Sequence, residues 1–169
     1  MEKKYYNGPP GYLKKFIPPE GWTTIGINVL GKYDNGDNTW LGRQNIPGEW
    51  YIGYHAIRNQ KAIYGILMNG FKIGYQHYYN NDYNKNPLTY NIYKLCGEGV
   101  YFTPDINVAK SYTEIITYNE YDLRIVFMCR INPLKVRIAD LGENNECWLT
   151  NGTTDEVRPY RILFKFESN

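Results

Sequence analysis

A chain of 169 residues, 43% of them hydrophobic, is long enough for one domain with a single sizeable core. Nineteen basic against seventeen acidic residues leave a formal charge of +2, too little to argue for nucleic-acid or membrane binding by bulk electrostatics. Three cysteines without paired spacing (Cys96, Cys129, Cys147) speak against a disulfide framework and a zinc site.

Residues 1–21 carry Pro9, Pro10, Pro18 and Pro19, which bar regular helix and central strand, so they read as an extended proline-rich arm packed on the surface. Residues 22–169 read as one domain. Its first strand is expected over Thr23–Leu30, where Ile25, Ile27 and Val29 alternate with small or polar residues. Asn35-Gly36 marks a turn. Trp50–His55 is an aromatic-rich strand with His55 at its end. A helix follows over Asn59–Met68, with Ala62, Ile63, Ile66 and Leu67 as its apolar stripe and Gly70 as its left-handed cap. Phe71–Tyr75 reads as a short strand. Gln76–Lys94 is rich in Tyr and Asn and has no period, as expected of a functional loop.

Val100–Phe102 is a buried strand, and Thr103-Pro104 reads as a helix start with Thr103 at the N-cap. Tyr101 and Tyr112 flank that join. They are either two core tyrosines or two walls for a flat ring. Leu123–Ile131 is nearly all apolar, the pattern of a central strand covered on both faces. Lys135–Ala139, Glu146–Leu149 and Tyr160–Phe166 complete about seven strands and two helices. No βαβ rhythm occurs, so the fold class is α+β with a mostly antiparallel sheet system. No stretch approaches transmembrane length, and Met1–Tyr6 leads into Gly-Pro-Pro rather than an apolar secretory core; the expected setting is cytoplasmic, with no membrane partner.

The chain has two histidines. His77 lies in the polar loop without an evident partner, whereas His55 sits where side chains often line a crevice. No zinc-protease pattern, nucleophile elbow or phosphate-binding Gly-Lys-Ser/Thr occurs. Nothing in the sequence brings Cys96 to His55 as a nucleophile would require.

Four fragments in order resemble the catalytic domain of poly(ADP-ribose) polymerases. They are Tyr54-His55-Ala56, then Gly65-Ile66-Leu67-Met68-Asn69-Gly70-Phe71-Lys72-Ile73, then Gly97-Glu98-Gly99-Val100-Tyr101-Phe102 with Tyr112 beyond it, and Asn145-Glu146-Cys147-Trp148 followed by Tyr160-Arg161-Ile162-Leu163. The similarity covers roughly residues 50 to 166. It implies an ADP-ribosyltransferase-like fold, a split and mostly antiparallel β core with about two helices. It also implies NAD+ as co-substrate and no metal.

By this resemblance His55, Tyr101 and Glu146 form the catalytic His-Tyr-Glu set, with Glu143 and Glu156 as nearby competitors for the last place. Tyr101 and Tyr112 would stack on nicotinamide. His55 would donate to the adenosine-side ribose. Glu146 would hold the other ribose and stabilise the cationic sugar as the glycosidic bond breaks. Ala56, Arg58, Lys72 and Ala109 take further NAD-binding positions. Two departures stand out: Ala56 replaces the family's glycine after the histidine, and Ala109 replaces a helix hydroxyl. The path from Asn132 to Asn145 is short where polymerases carry a long loop, which implies mono- rather than poly-ADP-ribosylation.

The expected activity is therefore NAD-dependent mono-ADP-ribosyl transfer, by a monomer, to a protein or else a nucleic-acid acceptor. The alternatives are a catalytically silent module binding NAD or ADP-ribose, and an NAD-consuming enzyme using water or an RNA 2′-phosphate.

Overall fold

The computed structural model describes residues 5–73, 83–88, 92–95, 98–140 and 146–168. His77, Cys96, Glu143, Asn145 and most of Gln76–Lys94 lie outside the described residues. In chain order the elements are β1 (Tyr5–Asn7), β2 (Lys14–Phe16), β3 (Thr23–Gly26), β4 (Tyr51–Ala56), α1 (Gln60–Asn69), β5 (Tyr83–Lys85), β6 (Ile92–Leu95), β7 (Val100–Phe102), α2 (Ile106–Tyr112), β8 (Ile116–Tyr118), β9 (Tyr121–Ile131), β10 (Arg137–Asp140), β11 (Glu146–Thr150) and β12 (Val157–Phe166). Every ladder between them is antiparallel. The chain is α+β, with mostly antiparallel sheets and two helices among the described residues.

Two five-stranded sheets make the body. The first runs β3-β12-β9-β4, with β8 taking over the β9 edge that β4 leaves. The second runs β6-β5-β10-β11-β7. They meet where Tyr54 N–H donates to the Thr103 carbonyl at 2.8 Å and Thr103 N–H returns to the Tyr54 carbonyl at 3.1 Å. Strand alternation then sorts side chains into layers. Tyr51, Phe127, Cys129, Ile131 and Ile162 meet Phe102, Val136, Ile138 and Trp148 in one core cluster. On the other face, Ile52, Tyr54, Val126, Met128 and Leu163 are covered by Ile106 and Ala109 of α2 and by Phe16, Trp40 and Trp50.

Several expectations hold because the local signal is strong. Asn59 caps α1 by accepting from Ala62 N–H at 3.0 Å, and Gly70 closes it at φ +76°. Leu123–Ile131 lies inside β9, between β12 and β4.

Other segments differ. The described part of the arm, mostly exposed or half-buried, forms a hairpin: its prolines fall outside β1 and β2, leaving their ladder intact. Buried Asn7 accepts from Ile52 N–H at 2.5 Å, and the Tyr51 and Tyr54 hydroxyls donate to the Tyr12 and Ile17 carbonyls at 2.7 and 2.8 Å. Helix α2 begins two residues late because Thr103 spends both backbone groups on the Tyr54 bridge. Asp105 caps the helix instead, accepting from Asn107 N–H at 2.8 Å. Phe71–Ile73 form no strand. The aperiodic segment contributes β5 and most of β6, which pair antiparallel. Strand β12 accommodates Pro159 at a register shift.

Asn86 ties β5 to the β10 side of the sheet. Its buried amide donates to the Pro133 and Val136 carbonyls at 3.2 and 2.8 Å, and its oxygen accepts from Leu88 N–H at 3.0 Å. Asn86→Ala strands two buried carbonyls at once. The expected loss is about 2–3 kcal/mol in urea unfolding, and a loss below about 0.5 kcal/mol would show that water satisfies those groups.

Candidate functional site

Of the residues singled out by sequence, His55 and Tyr101 are brought together at the junction of β4 with β7. His55 lies at the end of β4, on the same strand face as Tyr51 and Gly53. It is half-buried against the rings of Phe71 and Phe102, with centroids 5.1 and 5.3 Å away. Its Nδ1 is 2.8 Å from the Tyr101 carbonyl oxygen. A carbonyl can only accept, so Nδ1 carries the proton and donates. Burial pushes the imidazole below its ordinary value, partly opposed by that hydrogen bond. In the neutral ring Nε2 is then an acceptor. A ribose hydroxyl would donate to it, the reverse of the direction expected from sequence.

The depressed His55 value sets a pH dependence. The unfolded chain takes up the proton first, so this stability contribution is complete above about pH 6.5 and shrinks as pH falls below it toward the lower folded value. Melting curves from pH 7.5 to 5.0 are expected to drop less for His55→Gln than for the parent chain. Parallel drops would mean that His55 protonates freely in the fold.

Tyr101 meets His55 through its backbone carbonyl. Its register partner is Leu149, and its side chain packs with the buried Leu149, Cys147 and Ala139 in a separate cluster from the one that holds Phe102. Phe102, one residue on, is the ring turned toward His55. Glu146 opens β11 on the face it shares with Trp148. Its Oε1 lies 2.6 Å from the Lys14 ammonium and its Oε2 accepts from the Trp148 indole N–H at 2.8 Å. Side-chain alternation thus places the Glu146 carboxylate and the Tyr101 ring on opposite sides of the β7–β11 pair.

Ala56 follows His55 and pairs with Val126. Arg58 is exposed and reaches the Glu114 carboxylate at 3.1 Å. Lys72 is exposed just after Phe71. Ala109 is 1% exposed, on the side of α2 that packs with Tyr54, away from His55. Tyr112 ends α2 and is 44% exposed. The competitor Glu156 is buried and accepts from both the backbone and side-chain amides of Asn151, clamping the turn before β12.

Sequence reading missed Phe71, Phe102, Lys14 and Trp148 as neighbours of the candidate residues. The i, i+2 spacing of Glu146 and Trp148 on a strand contains one of these contacts. The Lys14–Glu146 pair spans 132 positions and leaves no local trace. No protein-family model, curated protein or solved structure matches the chain.

Proposed function

We propose that this chain is an NAD-dependent ADP-ribosyltransferase that moves a single ADP-ribose to a protein acceptor and releases nicotinamide. The observation that carries the reading is the β4–β7 junction. There His55, the strand bearing Tyr101 and the helix ending in Tyr112 follow one another around the split between two antiparallel sheets. The four resembling fragments fall on β4, α1 with Phe71, β7 with α2, and β11 with β12, in chain order.

In this reading His55 Nε2 accepts from a ribose hydroxyl, while the Tyr101 carbonyl fixes the ring. The exposed Tyr112 ring offers a π face to the cationic nicotinamide. The C1′–N bond breaks with its electron pair going to the nicotinamide nitrogen. The acceptor nucleophile bonds to C1′ and loses its proton to solvent. Glu146 stabilises the oxocarbenium-like sugar, and to do so it exchanges its Lys14 partner for the substrate.

Two observations favour a second reading, a silent module that binds NAD or ADP-ribose. They are the occupied Glu146 carboxylate and the Tyr101 side chain, which takes the sheet face opposite to Phe102. Incubating the protein with adenylate-labelled NAD and a cell lysate separates the possibilities. Label on protein supports transfer. Nicotinamide without labelled macromolecule means water is the acceptor, and label on RNA points to a 2′-phosphate or another nucleic-acid group. Saturable NAD binding with none of these products establishes the silent module.

A further inference from the structure

Strand β3 ends the first sheet: it pairs with β12 on one side, and all of its residues are exposed. Just beyond it, Ile27 N–H donates to the Tyr160 carbonyl at 2.9 Å. In an antiparallel ladder every second residue turns its backbone groups to the same neighbour, so Thr23 and Ile25 also face β12. Thr24 and Gly26 turn theirs to the open side, where among the described residues no strand meets them.

A free edge is a template for another strand, and folded proteins ordinarily guard it with charge, proline, a bulge or a covering segment. This edge has none of those guards among the described residues. From Gly21 to Gly31 the sequence holds no charged residue and no proline. The ladder with β12 runs without a register shift. Ile25, at its centre, is 54% exposed.

We propose that β3 pairs antiparallel with β3 of a second copy of this chain, about a two-fold axis at Ile25, in place of the monomer expected from sequence. The backbone sets the register. With Ile25 on the axis, Thr24 lies opposite Gly26 of the partner subunit, so the two outward-facing residues exchange their N–H and carbonyl groups. A slip of one residue would set them against residues that face β12. A Cβ at Gly26 would meet nothing within 4 Å, which leaves room for the side chain of the partner's Thr24. Ile25 then packs against the partner's Ile25, an apolar cross-strand pair. Charge selects a second copy as the occupant. A neutral strand meets no like charge in its own image, and it offers no counter-charge to a basic or an acidic strand. The pairing leaves the proposed transferase site open, since β4 with His55 lies at the other end of the sheet.

The test is sedimentation velocity of the full chain from about 10 to about 500 µM, where a contact below the roughly 1,200 Å² of a standard interface shows as a concentration-dependent dimer. Slower amide exchange at Thr24 and Gly26 is expected at the high end of that range than at the low end. Ile25→Lys sets two like charges on the axis at a position already exposed, and is expected to weaken dimerisation about tenfold or more. Thr24→Pro removes an outward donor while sparing the ladder to β12, and is expected to weaken it as well. A monomer throughout the range would overturn the proposal and leave the edge to a strand of another protein. A dimer undiminished in Ile25→Lys, or one whose Thr24 and Gly26 amides exchange as in the monomer, would overturn it by placing the contact elsewhere.

Discussion

Under the proposed transferase reading, Glu146→Gln is expected to lower NAD-dependent nicotinamide release by about 10²- to 10³-fold, the usual effect of removing one electrostatic stabiliser of a transition state. The substitution keeps the shape and an acceptor for the Trp148 indole but removes the negative charge that would face the cationic sugar. Its cost to stability is small. The Lys14 and Glu146 side chains are each 25% exposed, and pairs open to water contribute about 1 kcal/mol or less. Activity and stability are therefore expected to separate. Lys14→Ala sharpens the comparison. It frees the carboxylate without moving it to another strand, so release is expected to hold or rise. Undiminished release in Glu146→Gln would remove Glu146 from the mechanism and with it the His-Tyr-Glu reading of this chain. Undetectable release from the parent chain and both variants, alongside saturable NAD binding, would favour the silent module.

The largest effect on stability is expected at Arg158, far from any proposed chemistry. Its side chain is 4% exposed, and its guanidinium lies 4.4, 4.9 and 4.2 Å from the ring centroids of Tyr33, Trp40 and Trp50. Two nitrogens reach the Asp34 carboxylate at 2.6 and 2.8 Å, and Nε donates to the Thr154 carbonyl at 2.7 Å. One cation thus joins the turn at Asp34 and the aromatic loop before β4 to the start of β12. Arg158→Ala empties the aromatic box and strands the Thr154 carbonyl. A loss of about 3–5 kcal/mol is expected from urea unfolding midpoints, from the desolvated cation–π contacts and the stranded carbonyl rather than from the pair with the exposed Asp34. A loss below about 1 kcal/mol would mean that the rings close over the gap.

The same pair adds an acid limb. The hydrogen bond from Arg158 holds the Asp34 carboxyl below its usual value of 3.8. A depressed carboxylate contributes fully above that value and loses its contribution as pH falls through the lower folded one. Asp34→Asn is expected to remove this part of the acid transition below about pH 4. An unchanged acid limb would assign it to other carboxylates.

The sequence by itself determined the elements whose signals are local. The stripe of α1 with Asn59 and Gly70 at its ends, the apolar run inside β9 and the alternation of β12 follow from the periodicity of single segments. The α+β class follows from their order. Tertiary structure decided whatever depends on a partner distant in sequence. Strands β5 and β6 pair with each other in a segment whose sequence shows no period. Thr103 reads as a helix cap in isolation but is claimed by Tyr54, which lies 49 positions earlier in the chain.

The candidate site divides in the same way. That His55 and the β7 strand belong together was legible from the fragments. Which side each side chain takes was not, because a register one residue different would exchange Tyr101 for Phe102 at the imidazole. The proline-rich arm is the plainest case. Its composition reads as surface, yet Asn7, Phe16 and Lys14 reach β4, the core and Glu146. Prolines limit where a ladder can run, but they say nothing about what the residues between them will meet.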